Sequence, residues 1–122
     1  MNITELKENE VFVFGSNYQG RHGRGAAKDA LKFGAIMGKG RGHYGQSYAL
    51  PTIDWEPSYH FIGWDEVKKE MATFIEYAKS KPELVFLLTP VGTGLAGGKI
   101  EDLDSLMDSF EIPKNVVLYW RD

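Results

Sequence analysis

Two glycine-rich stretches, residues 15–25 and 91–98, hold the residue types that could bind an anionic ligand. Each follows a short run of β-branched, aromatic or aliphatic residues, which is typical of a strand buried on both faces. Glycine lets the backbone approach a ligand closely, and the N–H groups at the start of a following helix have no partner inside that helix. Phosphate groups accept hydrogen bonds from such N–H groups. Each stretch is therefore a candidate phosphate-binding turn.

The candidate ligand-binding residues of the two turns lie beside the glycines and the predicted strand ends. They are Gly15, Ser16, Asn17, Gly23, Arg24, Gly25 and Ala26 in the first turn, and Pro90, Val91, Gly92, Thr93, Gly94 and Leu95 in the second. Asn17 and His22 are also candidate catalytic residues, Asn17 to orient a water molecule and His22 to assist proton transfer. The alternative for His22 is an exposed loop histidine with no chemical role.

Hydrophobic periodicity predicts the elements that position these residues. Strands are predicted at residues 11–14, 47–50, 84–88 and 116–120, and helices at 25–33, 64–79 and from 100 onward. Gly34 is expected to end the first helix, and Pro51 the second strand. Alternation of strands and helices predicts an α/β protein with a parallel sheet covered on both faces. If strands 11–14 and 84–88 are neighbours, both turns lie at their carboxyl ends and face one cleft.

Composition restricts the class of protein. A chain of 122 residues predicts a single domain over residues 1–122. The absence of cysteine excludes thiol chemistry, and with a polar N-terminal segment that lacks a signal-peptide pattern it predicts a cytoplasmic setting. No apolar run approaches the roughly 20 residues of a membrane span, so no membrane partner is expected.

Charge is distributed unevenly along the chain. Residues 21–43 contain six basic residues and one acidic residue, giving +5, so the rest of the chain carries −8 of the net −3. A basic segment beside the first turn predicts attraction of a polyanionic ligand, with a solvated surface as the alternative. The acidic remainder argues against duplex nucleic acid as a partner. Binding of single-stranded nucleic acid is an alternative function. The residues that would contact it are Arg21, Arg24, Lys39, Arg41, Tyr18 and Tyr44.

Other motifs are weaker. The histidines have no metal-ligand spacing, no GK[ST] follows the first turn, and Gly20, Gly23 and Gly25 do not give a GxGxxG motif, so no metal or cofactor is expected. Trp55, Tyr59 and Phe61 are predicted to cover the core, with stacking on a base as the alternative. Residues 35–46, which include four glycines, are predicted to form a mobile loop or a further ligand-contacting loop.

Several motifs together resemble the macrodomain family, an ADP-ribose-binding α/β/α fold. They are VFGSN at 13–17, GRGAA at 23–27 and TPVGTGLAGG at 89–98. Asn2-Ile3-Thr4 stands where macrodomains usually carry Asp-Ile-Thr. The segments YALPT at 48–52 and FG at 33–34 are similar to the branch that includes terminal ADP-ribose protein glycohydrolase.

This resemblance implies a three-layer α/β/α fold with a small, mostly parallel sheet of about four strands, in the order last, third, first, second. It implies binding of ADP-ribose or a related NAD-derived nucleotide, free or on an ADP-ribosylated macromolecule. Asn17 would lie near the distal ribose, residues 23–26 and 92–95 on either side of the diphosphate, and Asn2 and Ile3 at adenine.

Two departures bear on activity. Thr52 and Ala96 stand where the glycohydrolase branch has a lysine and an aspartate, and neither can act as an amine nucleophile or a carboxylate base. The resemblance therefore favours binding. Hydrolysis of ADP-ribosyl linkages or of ADP-ribose 1″-phosphate by a water-mediated route is the alternative.

Overall fold

A mostly parallel sheet forms the centre of the protein, as seen in a computed structural model that describes residues 3–121. Its strands are β1 (Glu10–Asn17), β2 (Gly42–Tyr44), β3 (Ser47–Asp54), β4 (His60–Phe61), β5 (Val85–Leu88) and β6 (Val116–Leu118). Strands β6, β5, β1 and β3 are parallel neighbours in that order, which confirms the order last, third, first, second. The short strands β2 and β4 add antiparallel pairings to β3 that were not predicted.

Helices cover both faces of this sheet. They are α1 (Gly25–Ala30), followed by one turn of 3-10 helix (Leu31–Phe33), α2 (Trp64–Lys79) and α3 (Ile100–Met107). On one face of the sheet, Val11 and Val13 of β1 form a core with buried residues of α2 and α3. On the other face, Phe12 and Phe14 form a second core with buried residues of α1. This arrangement follows from the period of two in a strand, whose successive side chains point to opposite faces. The predicted α/β class is confirmed.

The core on the α2 side is the larger one. Val11 and Val13 of β1 pack there with Met71 and Phe74 of α2 and Leu103 of α3. The helix prediction for residues 64–79 is confirmed at both ends. Within the described residues, no helix is both long and apolar enough to cross a bilayer.

The predicted first helix is shorter than expected. Regular α-helix ends at Ala30, and the next three residues tighten into a 3-10 turn. Gly34 closes that turn in the left-handed conformation, with φ of 110°, and its N–H donates to Leu31 O at 3.2 Å. The prediction that Gly34 ends the helical segment is confirmed.

Two strands run past their predicted ends, and the last strand, predicted at 116–120, ends at Leu118. Strand β1 continues through Gly15, Ser16 and Asn17, which pair with β3, instead of ending at Phe14. Strand β3 continues through Pro51, which sits between the residues paired with β2 and those paired with β4. Proline is tolerated at this position because neither β2 nor β4 pairs with Pro51, so no strand on that side of β3 needs its missing N–H. The register between β3 and β1 also shifts next to it.

Candidate functional site

A groove of about 520 Å³ opens at the carboxyl ends of β1, β3 and β5. Its volume lies within the range of roughly 300–1,000 Å³ that is typical of small-molecule sites. Its lining comes from the end of β1, the first turn, the segment after β3 and the second turn. These residues are Gly15, Ser16, Asn17, Arg21, Gly23, Arg24, Gly25, Ala26, Ala27, Thr52, Ile53, Trp55, Tyr59, Thr89, Pro90, Val91, Gly92, Gly94, Leu95 and Ala96.

The two glycine-rich turns meet across this groove. A Cβ at Gly25 would lie 3.1 Å from Leu95 Cδ1, so the first turn touches the second where α1 begins. Gly25 has φ of 63°, a conformation that side chains rarely adopt. From the segment after β3, the Tyr59 hydroxyl donates to Leu95 O at 3.2 Å. Leu95 therefore contacts both other walls of the groove.

The floor of the groove is formed where three strands end. A Cβ at Gly15 would lie 3.3 Å from Thr52 Oγ1 of β3 and 3.4 Å from the Gly92 nitrogen beyond β5. Glycine at this position keeps the floor open, because a larger side chain would have to push either neighbour aside. The Thr52 hydroxyl donates to Ser16 O at 3.3 Å, so it is already engaged with the main chain.

Asn17 holds the first turn in place. Its Oδ1 accepts from the Arg21 backbone N–H at 2.7 Å, and its Nδ2 donates to Arg21 O at 2.9 Å. The side chain is buried, and it closes the loop of residues 17–21 by hydrogen bonding to both the N–H and the carbonyl of Arg21. Asn17 lines the groove, as predicted, but these bonds give its amide a structural task.

Arg21 and Trp55 stack on one another at one wall. The guanidinium carbon of Arg21 lies 4.7 Å from the centre of the Trp55 ring, and the Tyr59 ring packs roughly perpendicular to the Trp55 ring with 4.9 Å between the ring centres. Gln19 accepts from the Trp55 backbone N–H at 3.0 Å and donates to Asp54 Oδ1 at 2.8 Å. The hydrogen bond from the Gln19 amide, and then one from the Glu56 backbone N–H, hold the pKa of Asp54 below its ordinary value of 3.8.

The lining favours anions. It contains two arginines, and no aspartate or glutamate among the described residues lines the groove. In the second turn, the N–H groups of Gly92, Gly94, Leu95 and Ala96 donate to no acceptor within residues 3–121. Unpaired N–H groups that face a groove beside positive charge can bind a negatively charged group. Because α1 has only six residues, its dipole contributes less to the attraction of an anion than these N–H groups and the two arginines do.

The expectation for His22 was wrong. The sequence predicts a proton-transfer role for His22, with an exposed loop histidine as the alternative, but its side chain is fully buried, packs edge-on against Phe14 at 5.4 Å, and is not part of the groove lining. Its Nε2 donates to Lys39 O at 3.0 Å. His22 thus ties the first turn to residues 38–40 and is in no position to exchange protons with a ligand in the groove.

Two other predicted ligand contacts do not line the groove. Ile3 packs against the core on the α1 side and is not one of the lining residues. Thr93 lies within the second turn but does not line the groove, and its hydroxyl donates to Pro90 O at 2.6 Å. Asn2 lies outside the described residues.

Residues 35–46 brace the first turn instead of lining the groove. Gly38 N–H donates to Gly20 O at 2.8 Å, and the Ser16 hydroxyl donates to Gly40 O. A Cβ at Gly40 would lie 2.1 Å from Asn17 O, so this approach requires glycine. The stretch also contains β2, and it does not form the further ligand-contacting loop that was predicted.

The predictions missed the wall formed by the segment after β3. Trp55 and Tyr59 line the groove, although both were expected to cover the core; Phe61 does pack against Trp64, at 5.0 Å. Arg21 was expected in the basic segment and in the alternative nucleic-acid surface, but not among the residues that line the groove. The position of Trp55 and Tyr59 in the sequence could have predicted this wall. Both follow a predicted parallel strand, and the segment after such a strand lies at the edge of the sheet where ligands bind.

Among the residues that the structure describes, no group of three or more histidine, aspartate or glutamate side chains could hold a metal ion. Comparisons with family models, curated proteins and solved structures gave no match to this chain.

Proposed function

We propose that this protein is a macrodomain-like module that binds ADP-ribose or a related NAD-derived nucleotide in the groove between its two glycine-rich turns. The ligand is free or attached to an ADP-ribosylated macromolecule. The observation that carries the proposal is the contact between Gly25 and Leu95, which makes two turns seventy residues apart walls of one groove. The same two turns carry the macrodomain resemblance.

The chemistry of the lining supports a diphosphate as the central group. A diphosphate offers several acceptor oxygens, and the second turn offers unpaired N–H donors at Gly92, Gly94, Leu95 and Ala96. Arg24 adds positive charge from the first turn, and the absence of lining carboxylates among the described residues leaves that charge uncompensated. Flat apolar surface from Ile53 and Val91 beside these groups suits the less polar faces of ribose and base.

Binding is favoured over hydrolysis. The residues that line the groove include no histidine, lysine, aspartate or glutamate in the described part of the chain, so no side chain there is suited to act as a general base near neutral pH. The Asn17 amide is engaged with Arg21, and His22 is buried elsewhere. Single-stranded nucleic-acid binding also gains no support, because Arg41 and Tyr18 both bond to Glu70.

Thermal unfolding with added ADP-ribose tests the proposal. Binding to the folded state alone stabilises it by RT ln(1 + [L]/Kd), about 2.7 kcal/mol when the ligand is at 100 times Kd. We expect this shift with ADP-ribose, a smaller one with AMP and none with ribose. An unchanged unfolding temperature at millimolar ADP-ribose would refute the proposal.

Gly94→Leu is the matching variant for the site. A Cβ at Gly94 meets nothing within 4 Å and the residue is exposed, so a leucine fits without strain but fills the groove. We expect the variant to unfold at the wild-type temperature and to lose the ligand-induced shift, with Gly94→Ala losing less.

A further inference from the structure

We propose that Arg21, stacked on Trp55, is the residue that selects ligands by their phosphate groups in this groove. The inference rests on the proposed function for the identity of the groove and adds a specificity determinant to it. It concerns a side chain of the first turn, where the general proposal relies mainly on backbone N–H groups.

Three contacts fix Arg21 before any ligand arrives. Asn17 bonds to both its backbone N–H and its carbonyl, at 2.7 and 2.9 Å. The Trp55 ring lies 4.7 Å from the guanidinium carbon. The Trp55 ring is itself held in place, since Gln19 Oε1 accepts from the Trp55 backbone N–H and the Tyr59 ring packs perpendicular to it. An arginine held in this way loses less conformational freedom on binding than a free one does.

The guanidinium of Arg21 keeps its donors available although it lies over the Trp55 ring. Its five N–H groups form a planar fork, and none of them donates a hydrogen bond within residues 3–121. Such a fork matches two oxygens of a phosphate. Arg21 forms no ion pair within residues 3–121, whereas Arg41 pairs with Glu70 and Arg121 with Asp104 and Asp108. A solvent-exposed, uncompensated and oriented cation beside a groove without lining carboxylates is suited to an anion.

Isothermal titration with ADP-ribose, pyrophosphate and adenosine tests the role of Arg21. Because hydrogen bonds to charged groups contribute strongly to binding, Arg21→Ala should lower the affinity for ADP-ribose and for pyrophosphate about tenfold to a hundredfold. Adenosine has no phosphate, so its affinity should change less than twofold. Arg21→Lys keeps the charge but loses the fork, and it should fall between wild type and Arg21→Ala.

Lys32→Ala is the matched control. Lys32 also lies over an aromatic ring, that of Phe33 at 5.1 Å, but it is not part of the groove lining. The variant removes the same charge and the same type of contact at another place, so all three affinities should stay within twofold of wild type. An equal loss in Lys32→Ala and Arg21→Ala would overturn the inference in favour of general electrostatic attraction.

A double-mutant cycle separates positioning by Trp55 from direct contact with a base. Trp55→Leu should weaken pyrophosphate, which has no base, about threefold to tenfold, and should cause no further loss when Arg21 is already alanine. An additive loss in the double variant would contradict the role assigned to Trp55. Circular dichroism and the unfolding temperature identify any loss due to misfolding, and Trp55→Phe, which keeps an aromatic face, should restore most of the affinity.

The outcomes distinguish this inference from the proposed function. Pyrophosphate binding that depends on Arg21, without ADP-ribose binding, would support Arg21 and refute the nucleotide proposal. Equal affinity of wild type and Arg21→Ala for ADP-ribose would support the nucleotide proposal and refute the role of Arg21. Failure of all three probes to bind wild type would overturn both.

Discussion

At the scale of single residues, the backbone conformation of Gly25 has the most direct consequence for the groove. Its φ of 63° costs a residue with a side chain about 1–2 kcal/mol, and the added Cβ would also press on Leu95 Cδ1. Because the leucine side chain can move, the torsion accounts for most of the cost. We expect Gly25→Ala to lower the free energy of unfolding by about 1–2 kcal/mol, measured by urea denaturation.

Gly23→Ala is the control for that measurement. Gly23 is in the same turn, but its φ is outside the left-handed region and an added Cβ meets nothing within 4 Å. Its free energy of unfolding should stay within about 0.5 kcal/mol of wild type. If both variants lose the same stability, the torsion at Gly25 is not the cause.

Asn17 has an equally specific local task. Replacing it with alanine leaves the Arg21 backbone N–H and carbonyl without their partners, in a part of the chain where the side chain is 7% exposed. We expect Asn17→Ala to lower the free energy of unfolding by about 1–3 kcal/mol. Asn9→Ala should change it by less than about 0.5 kcal/mol, because Asn9 is exposed and its side chain makes no hydrogen bond within residues 3–121. Similar losses in the two variants would contradict a positioning role for Asn17.

The sequence was a good guide to residues whose task depends on backbone conformation. Gly25 and Gly92 were identified because a glycine in a turn that links a strand to a helix permits a positive φ and a close approach of the backbone to a ligand, and their φ angles are 63° and 80°. His22 was misjudged because its burial depends on Lys39 O, a main-chain acceptor supplied by a distant loop. Trp55 looked like a core residue because aromatic character alone does not tell a groove wall from an interior.

At the scale of secondary-structure elements, α2 was predicted to the residue, whereas β1 and β3 were cut short. The apolar stripe of α2 repeats along sixteen residues, and Asp65 and Glu66 mark its start. Gly15 and Pro51 suggested strand ends, but pairing between β1 and β3 carries both strands past them. Pairing between strands outweighs local preference, and it cannot be deduced from one strand alone.

The packing of β3 on α2 predicts sensitivity to alkali. Tyr48 is 4% exposed and packs 4.9 Å from Phe74; burial, and then the charge of Glu70, raise its pKa from 10.0 to about 12. Above pH 10 the unfolded chain loses this proton while the folded protein keeps it, so stability falls as pH rises from about 10 to 12. The loss should be about 2–3 kcal/mol.

Tyr48→Phe tests that prediction, because it keeps the ring and removes the titrating hydroxyl. Urea unfolding at pH 7 and pH 11.5 should show a smaller alkaline loss than in wild type, with near-equal stability at pH 7. Some sensitivity should remain, since burial also raises the pKa of Tyr18 and Tyr77. Tyr119→Phe, at an exposed position, should behave as wild type. An unchanged alkaline loss in Tyr48→Phe would exclude Tyr48 as its source.

At the scale of the whole molecule, the groove exists because the parallel strand order brings three carboxyl ends to one edge. Strand β1 lies between β3 and β5, so the turn that follows it has the segment after β3 on one side and the second turn on the other. The alternation of strands and helices in the sequence predicted the parallel sheet, and the macrodomain resemblance implied its strand order. The third wall was not predicted, because its contacts depend on β4 returning antiparallel to β3.

Because both turns are walls of one groove, a ligand should protect them together from hydrogen exchange. The N–H groups of Gly92, Gly94, Leu95 and Ala96 donate to no acceptor within residues 3–121, so they should exchange quickly in the free protein. Saturating ADP-ribose should slow exchange in peptides covering residues 15–27 and 90–97 to a similar degree. Peptides covering residues 78–84, which lie outside the groove lining, should not change. Protection of only one turn would show that the ligand does not bridge them, and would refute a shared diphosphate site even if the nucleotide binds.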